Sequence, residues 1–185
     1  MSLKAPLMHQ IKLDSKIKIN SSIILEKLSD KHTKSLLEYA NDSFFFQYME
    51  YKKKNKRSQK KYINEKIKIN NFKQFFFYSI IFEKTIVGTF FISKVSFFAN
   101  NIDISYGINP EYWGKNIFSS ILKSLLIYFK KKKVNWIQAI TRHDNLPSIR
   151  GLKKNGFNLE GKLTKYYFDL KTNSYHDAYI FSKLF

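Results

Sequence analysis

The sequence predicts a single α/β (α+β) domain built around a mixed central sheet. Apolar residues alternate along residues 101–108, which is the period of a strand. They recur at helical spacing along residues 117–129. Between the two lies the turn-rich segment N-P-E-Y-W-G-K-N at residues 109–116. A strand, a loop of small residues and a helix in this order direct backbone N–H groups and the positive end of the helix toward an anion. The stretch therefore predicts a site for a phosphate-bearing cofactor.

The composition favours one globular domain, with residues 1–22 as an irregular basic leader and residues 23–185 as the folded part. The absence of cysteine excludes disulfides, thiolate metal ligands and a cysteine nucleophile, and no metal site is expected. No apolar run approaches the ~20 residues needed to cross a bilayer. The N-terminus lacks the apolar segment of a secretory signal. A cytoplasmic protein without a membrane partner is expected.

The chain is strongly basic, with 33 Lys and Arg against 14 Asp and Glu and a net charge of +19. Such a charge suits nucleic acid, ribosomes, acidic lipids or an acidic substrate. Only Arg57, Arg142 and Arg150 are arginines, whereas dedicated nucleic-acid surfaces depend on arginine for bidentate contacts. Abundant Lys, Asn, Ile and Phe also match an A/T-rich coding sequence. Nucleic acid is therefore not favoured as the substrate. Two explanations of the positive charge remain open, namely a functional role and coding bias.

The first third of the chain predicts a strand at residues 23–28 and a helix that Ser29 or Asp30 caps and that continues through Tyr39. Residues 44–49, F-F-F-Q-Y-M, are an aromatic segment that could continue this helical region or line a cleft.

Residues 51–61, Y-K-K-K-N-K-R-S-Q-K-K, are the densest positive block of the chain. They can form a solvated loop or a basic lip beside a substrate entrance. Ser58 is expected to cap a helix that continues to about Asn70.

The second half predicts most of the sheet. The apolar runs 75–82 and 85–92 flank Glu83-Lys84, which is a hairpin signal, and their continuous apolar character indicates strands covered on both faces. The remaining elements are expected as a strand at 134–141, a helix at 146–153 that ends before Asn155-Gly156, a strand from 157 to 168, and a terminal strand through 179–181.

Three motifs follow one another in a fixed order in this half. The first is D-I-S-Y-G-I-N-P-E-Y-W-G-K-N at residues 103–116. The second is D-N-L-P-S-I-R at residues 144–150, followed by K-N-G-F at 154–157. L-E-G at 159–161 and Y-H-D at 175–177 complete the set. Together they resemble the RimJ/RimL branch of the GNAT-superfamily N-acetyltransferases, whose cofactor loop reads P-E-Y-W-G-K-G.

This resemblance implies the GNAT acyl-CoA N-acyltransferase fold, a mixed sheet of about seven strands flanked by helices and splayed between the strands at 101–109 and 134–141. It implies acetyl-CoA as donor, with the pantetheine arm inserted in the splay and the pyrophosphate on N–H groups at the start of the following helix. The implied cofactor-binding residues are Tyr106, Gly107, Ile108, Trp113, Gly114, Lys115, Asn116, Ile117, Phe118, Ser119, Asn145 and Ser148.

The resemblance also implies three catalytic roles. The backbone N–H of Ile108 would polarise the acetyl carbonyl. Ser148 would protonate the departing CoA thiolate, while Asn145 would hold the pantetheine amides. From the residues alone, Asn145 is also a helix cap and Ser148 an exposed polar residue. Asp103, at the position of a frequent family glutamate, is the expected base.

Other routes for the proton remain open, namely His176, a chain of waters, or no base at all. The related RimL proteins carry a glutamate shortly after L-E-G, and residues 162–167 offer no carboxylate there.

Two further positions depart from the family pattern. Asn116 stands in place of a second loop glycine, and asparagine is the residue other than glycine that best tolerates a left-handed backbone. Gly151 replaces an apolar helix residue and is expected to cost ~1 kcal/mol of helix stability.

The expected function is direct acetyl transfer from acetyl-CoA to a primary amine. By resemblance, the acceptor is the N-terminal amine of a protein, with a ribosomal protein as the most specific version, and an acidic acceptor would suit the net charge of +19. The protein is expected to be a monomer or a homodimer. Two alternatives remain open. One is a small-molecule N-acetyltransferase for an aminoglycoside, polyamine, amino acid or amino sugar. The other is a degenerate domain that binds acetyl-CoA or RNA without turnover.

Overall fold

The structure is a computed structural model that describes residues 12–39, 56–70, 75–94, 100–169 and 172–185. In chain order its elements are β1 (Lys16–Lys18), β2 (Ile23–Lys27), α1 (Thr33–Tyr39), α2 (Lys56–Ile69), β3 (Phe75–Phe82), β4 (Thr85–Lys94), β5 (Asn101–Ile108), α3 (Ile117–Lys131), β6 (Trp136–Arg142), α4 (Leu146–Lys154), β7 (Asn158–Asp169) and β8 (Ser174–Leu184). Short 3-10 turns precede α1 and follow β5. The predicted α/β class is confirmed.

The strands form one 8-stranded sheet in the order β1-β2-β3-β4-β5-β6-β8-β7. Neighbouring strands are antiparallel, except that β5 and β6 run parallel. Their pairing joins Asn101–Asp103 of β5 to Trp136–Gln138 of β6 and goes no further. The two strands therefore separate over the rest of their length, which confirms the predicted splay.

The two faces of the sheet carry different helices. Ile102, Ile104 and the buried stripe of α3 belong to one large hydrophobic cluster that also includes Leu152 of α4. On the other face, Leu36 of α1 and Ile63 of α2 are buried together in a smaller cluster. Because side chains alternate along a strand, β5 presents its even-numbered residues to α3 and its odd-numbered residues to the opposite face.

The tight turn between β3 and β4 has left-handed backbone at both Glu83 (φ 47°) and Lys84 (φ 67°), as a type I′ hairpin requires. The predicted hairpin is thus confirmed. Farther along, Ile80 pairs with Gly88 and Ile81 with Ile86, so Val87 is an extra residue that forms a bulge in β4. The bulge lies beside the end of β5, because the Val87 carbonyl accepts a hydrogen bond from Asn109 N at 2.8 Å.

The observed elements differ from expectation in three places. β1 lies within the leader that was expected to be irregular; it pairs with β2 and buries only Ile17 between exposed lysines, too short an alternation to identify from sequence. α2 begins at Lys56, so Ser58 is inside the helix rather than its cap, and residues 56–61 are helix rather than loop. β6 begins at Trp136 instead of residue 134. Residues 1–11, 44–49 and 51–55 lie outside the described part.

No helix in the described ranges is both long enough and apolar enough to span a membrane.

Candidate active site at the opening between β5 and β6

The opening exposes backbone groups of β5. In an antiparallel pair, residues alternate between those that hydrogen-bond to the partner strand and those whose backbone groups point away from it. Asn109 bonds to Val87, so Tyr106 and Ile108 turn their backbone N–H and C=O away from β4, toward β6. The Ile108 carbonyl accepts the indole N–H of Trp113 at 2.8 Å. The N–H of Ile108 is left facing the opening, where it can donate to an inserted molecule.

The loop between β5 and α3 has the backbone of an anion site. Gly114 (φ 76°) and Asn116 (φ 56°) are both left-handed, which confirms that asparagine at 116 adopts this conformation. Asn116 is the N-cap residue of α3, but its side chain makes no capping bond within the described structure. The first N–H groups of α3 therefore point into the loop with the positive end of the helix. Trp113 N already donates to Pro110 O at 3.0 Å, so the available donors begin at Gly114.

Tyr106 and Ser148 meet inside this site. The two hydroxyl oxygens are 2.6 Å apart, and Ser148 is only 8% exposed. The alternative that Ser148 is an exposed polar residue is therefore wrong. Burial raises the pKa of Tyr106 well above its usual value, although the hydrogen bond from Ser148 acts in the opposite direction. Tyr106 thus keeps its proton at neutral pH and can donate it in a hydrogen bond to Ser148.

The position of Ser148 is fixed by the start of α4. Asn145 is the N-cap residue, and its side-chain oxygen accepts a hydrogen bond from Ser148 N at 3.3 Å. The helix-cap interpretation of Asn145 is therefore confirmed. Asn145 orients the turn of helix from which the Ser148 hydroxyl reaches Tyr106.

An aromatic stack holds Tyr106 in place. Its ring lies 3.7 Å, centroid to centroid, from Phe118 in the first turn of α3. Ser119, next in that turn, accepts a hydrogen bond from Asn155 Nδ2 at 3.2 Å, which links the start of α3 to the end of α4. Lys115 is exposed and sits with its Nζ 4.6 Å from the centre of the Tyr112 ring. The loop, α3 and α4 are thus joined around the Tyr106–Ser148 pair.

Asp103 lies apart from that pair. It is the last residue of β5 that pairs with β6, and its carboxylate accepts a hydrogen bond from Gln138 Nε2 at 3.1 Å. Burial raises the pKa of Asp103 to about 6, against the lowering effect of Gln138. As an odd-numbered residue it faces away from α3, and five residues of strand place it roughly 16 Å from Ile108. The structure therefore brings Ser148, Tyr106 and Ile108 together, and places Asp103 at the far end of the other face.

A polar cluster lies at the end of β6. Arg142, at the end of β6, binds Asp144 through Nε at 3.0 Å and Nη2 at 2.6 Å, and binds Asp169 of β7 through Nη1 at 3.1 Å. Burial acts to raise the pKa of Asp144, but the Arg142 guanidinium holds it below its usual value. Sequence reasoning missed this cluster, because Asp169 is 27 residues from Arg142 in the chain. The sequence feature that could have indicated the cluster is Asp144, which directly precedes the predicted helix cap Asn145.

The two histidines at this end are bound differently. His176 has both ring nitrogens engaged, with Nδ1 3.4 Å from Arg142 Nη2 and Nε2 3.2 Å from Ser174 Oγ. His143 is exposed, and its Nδ1 lies 3.1 Å from the backbone oxygen of Asp177. The two rings stack with centroids 6.1 Å apart.

Comparison with known protein families gives one domain match. The family model described as Acetyltransferase (GNAT) domain matches residues 22–158. Two curated relatives are described as uncharacterised N-acetyltransferases. One is p20 of Bacillus licheniformis, 30% identical over 110 residues, which are 58% of this chain and 61% of p20. The other is YnaD of Bacillus subtilis (strain 168), 27% identical over 165 residues, 88% of this chain and 93% of YnaD.

Solved structures share the whole fold. RimL, a ribosomal L7/L12 alpha-N-protein acetyltransferase in complex with coenzyme A, superposes with a TM-score of 0.83 over 91% of this chain and 97% of its own, at 17% identity. The microcin C7 self immunity acetyltransferase MccE, in complex with acetyl-CoA and AMP, gives 0.83 over 95% and 99%, at 21% identity. These similarities confirm the predicted fold.

Proposed function

Because this chain belongs to the GNAT acetyltransferase family, we propose that it transfers the acetyl group of acetyl-CoA to the N-terminal amine of a protein. That the chain is an acetyltransferase with acetyl-CoA as its donor follows from the family match and from neighbours that hold CoA or acetyl-CoA. The choice of acceptor is the proposal. It is supported by the similarity to RimL and by the net charge of +19, which would attract an acidic polypeptide.

The residues of the opening fit acetyl-CoA. The left-handed backbone at Gly114 and Asn116 and the uncapped start of α3 suit a pyrophosphate. A Cβ at Gly114 would have no neighbour within 4 Å, so the space above the loop is open. The outward backbone groups of Tyr106 suit an amide of the pantetheine arm, and the outward N–H of Ile108 remains for the acetyl oxygen. When bound, acetyl-CoA supplies an acetyl group already activated as a thioester.

The observation that carries the mechanism is the hydroxyl pair at the end of β5. Tyr106 keeps its proton and can donate it to Ser148 Oγ, which would leave the proton of Ser148 for the leaving sulfur. A thiol has an ordinary pKa of ~8.5, so the sulfur needs only modest stabilisation. The Ile108 N–H donates to the acetyl oxygen and stabilises the negative charge that develops there.

For Asp103 we propose a role in carrying protons away. Its pKa of about 6 lets it release and accept protons near neutral pH. Its distance from Ile108 means that any proton reaching it from the acceptor amine is passed through water. Ser105 lies on the same face of β5 as Asp103 and between Asp103 and Ile108 along the chain. Its side chain is exposed and can hydrogen-bond such a water.

The acceptor is tested by release of free CoA in the presence of matched amines. The panel contains an acidic peptide with a free N-terminus, the same peptide with a blocked N-terminus, a neutral peptide, and small amines that include a polyamine and an aminoglycoside. We expect turnover with the free acidic peptide, a mass gain of one acetyl group at its N-terminus, and none with the blocked peptide. Turnover with small amines alone would contradict the protein acceptor and favour the small-molecule alternative.

A further inference from the structure

His143 directly follows β6, the strand on one side of the opening. Its backbone N–H donates to Asp177 O at 3.0 Å and so continues the pairing of β6 with β8 by one residue. The parallel register aligns Asp103 with Gln138. Five residues farther along each strand, the same count aligns Ile108 with His143. By this count along the two strands, His143 is in the same row as Ile108, and the turn it begins leads into the helix that carries Ser148.

The hydrogen bond to Asp177 fixes the tautomer of the His143 ring. A carbonyl oxygen can only accept, so at 3.1 Å the His143 Nδ1 carries the hydrogen and donates it. In the neutral ring Nε2 is then the atom with the lone pair. No group in the described part of the chain hydrogen-bonds to Nε2, and the residue is exposed. The arrangement leaves Nε2 as the basic nitrogen of an exposed ring that directly follows β6.

The charged and titratable groups around this ring come from the turn and from two strands. They are Asp144, which is paired with Arg142; Asp177, which is paired with Lys162 at 2.7 Å; and His176, which stacks on the ring and contacts Asp169. A positive charge formed on the His143 ring would act on both Asp144 and Asp177, after the larger effects of burial and of their partners Arg142 and Lys162. An imidazolium formed at 143 therefore faces two carboxylates.

The other candidate bases fit the position less well. Asp103 is roughly 16 Å from Ile108 along β5 and faces Gln138. His176 has its two ring nitrogens engaged by Arg142 and Ser174.

We propose that His143 is a catalytic residue whose Nε2 takes the first proton from the acceptor ammonium. This inference rests on the proposed acetyl transfer to an amine. Loss of that proton gives the neutral amine, whose nitrogen bonds to the acetyl carbon while the C–S bond breaks and its electron pair leaves with sulfur. Ser148 gives its proton to the sulfur, and the second proton of the nitrogen restores the Ser148 hydroxyl, so CoA leaves as the thiol. The exposed His143 ring returns its proton to water, so the site is ready for another turnover.

The test compares His143→Gln with His176→Gln, using the amine that the wild type acetylates best. Glutamine at 143 can still donate to the Asp177 carbonyl but cannot take up a proton. We expect kcat/KM to fall ~100-fold in the first variant, within the range for loss of a general base. We also expect it to lose the decline in kcat/KM on acidification that protonation of an essential base gives. His176→Gln, the matched control, is expected to keep that decline.

Two further measurements separate a base from a merely structural residue. Acetyl-CoA affinity by calorimetry should be the same for His143→Gln and the wild type. Added imidazole should restore turnover to His143→Ala but not to His176→Ala, because only the first removes a group that takes up the proton.

Three results would count against the proposal. A His143→Gln enzyme with wild-type kcat/KM and pH profile would overturn the base assignment while leaving acetyl transfer intact. If Asp103→Asn lost the decline in kcat/KM on acidification while His143→Gln kept it, the first proton would be assigned to Asp103. A wild type that releases no CoA with any amine would contradict the proposed function itself.

Discussion

The ring of Phe118 occupies the space that a side chain at Gly151 would need. A Cβ at position 151 would lie 2.5 Å from Phe118 Cε1 and 2.7 Å from its Cδ1. Gly151 therefore allows α3 and α4 to approach closely enough for Phe118 to reach Tyr106. The helix glycine, expected from sequence only as a cost, has a packing role in the site.

Gly151→Ala is expected to lower the free energy of unfolding, although alanine in a helix normally gains about 1 kcal/mol over glycine. The Phe118 ring must move to accommodate the methyl group, and the stack on Tyr106 is disturbed with it. In a Phe118→Ala background the clash is gone, so the same substitution should become stabilising. Urea unfolding of the four proteins gives the comparison. Stabilisation by Gly151→Ala in the wild-type background would contradict this account.

Asn116→Ala is expected to lower the free energy of unfolding by about 1 kcal/mol, because a left-handed backbone costs an alanine ~1–2 kcal/mol. The left-handed φ of 56° at this position is what makes the substitution unfavourable. Acetyl-CoA affinity should fall with it, since the loop would then be less well ordered before binding. Asn116→Gly is the control and should match or exceed the wild type in both calorimetry and thermal unfolding. Equal behaviour of the alanine and glycine variants would show that the left-handed conformation is not needed.

Ser148→Ala is expected to slow acetyl transfer without abolishing it, with kcat down ~100-fold, at the low end of what a general acid contributes. It should also lower the free energy of unfolding by about 1–3 kcal/mol, because it leaves the buried Tyr106 hydroxyl without the hydrogen bond it makes at 2.6 Å. Tyr106→Phe removes the same hydrogen bond but keeps the serine, so its kcat should fall less. Steady-state kinetics with saturating acetyl-CoA provide the measurement. If Ser148→Ala retained the wild-type kcat, the hydroxyl would have no part in departure of the thiolate.

Asp103→Asn is expected to change how stability depends on pH. The pKa of Asp103 is raised from 3.8 to about 6, so between these values the folded state binds more protons than the unfolded chain. The free energy of unfolding therefore falls as pH rises through this window. Asparagine removes the charge and still accepts from Gln138, so it should be more stable by up to about 3 kcal/mol above the window, with the gain disappearing below it. The free energy of unfolding is measured with denaturant at pH values below and above this window. An equal gain in both would point to packing instead.

Much of the fold could be predicted from local patterns. The alternation of Ile102 and Ile104 identified β5, and Glu83-Lys84 identified the hairpin, because a single local conformation satisfied each pattern. The short strand around Ile17 could not be identified this way, since one buried residue carries no period and its pairing with β2 is a tertiary contact. The start of α2 was misjudged because a serine that could cap lies two residues inside the helix.

The strand-loop-helix order, the glycine and asparagine of the loop, and the spacing of Asn145 and Ser148 on one helix are all evident from local sequence, since they depend on neighbouring residues. What those groups face is a result of tertiary packing. It buried Ser148 against Tyr106, set Phe118 into the space at Gly151, turned Asp103 to the opposite face, and joined Arg142 to Asp169. Each of these contacts joins residues that are distant along the chain. Their geometry follows from the packing of α3 and α4 on the sheet and from the strand register, which no local pattern contains.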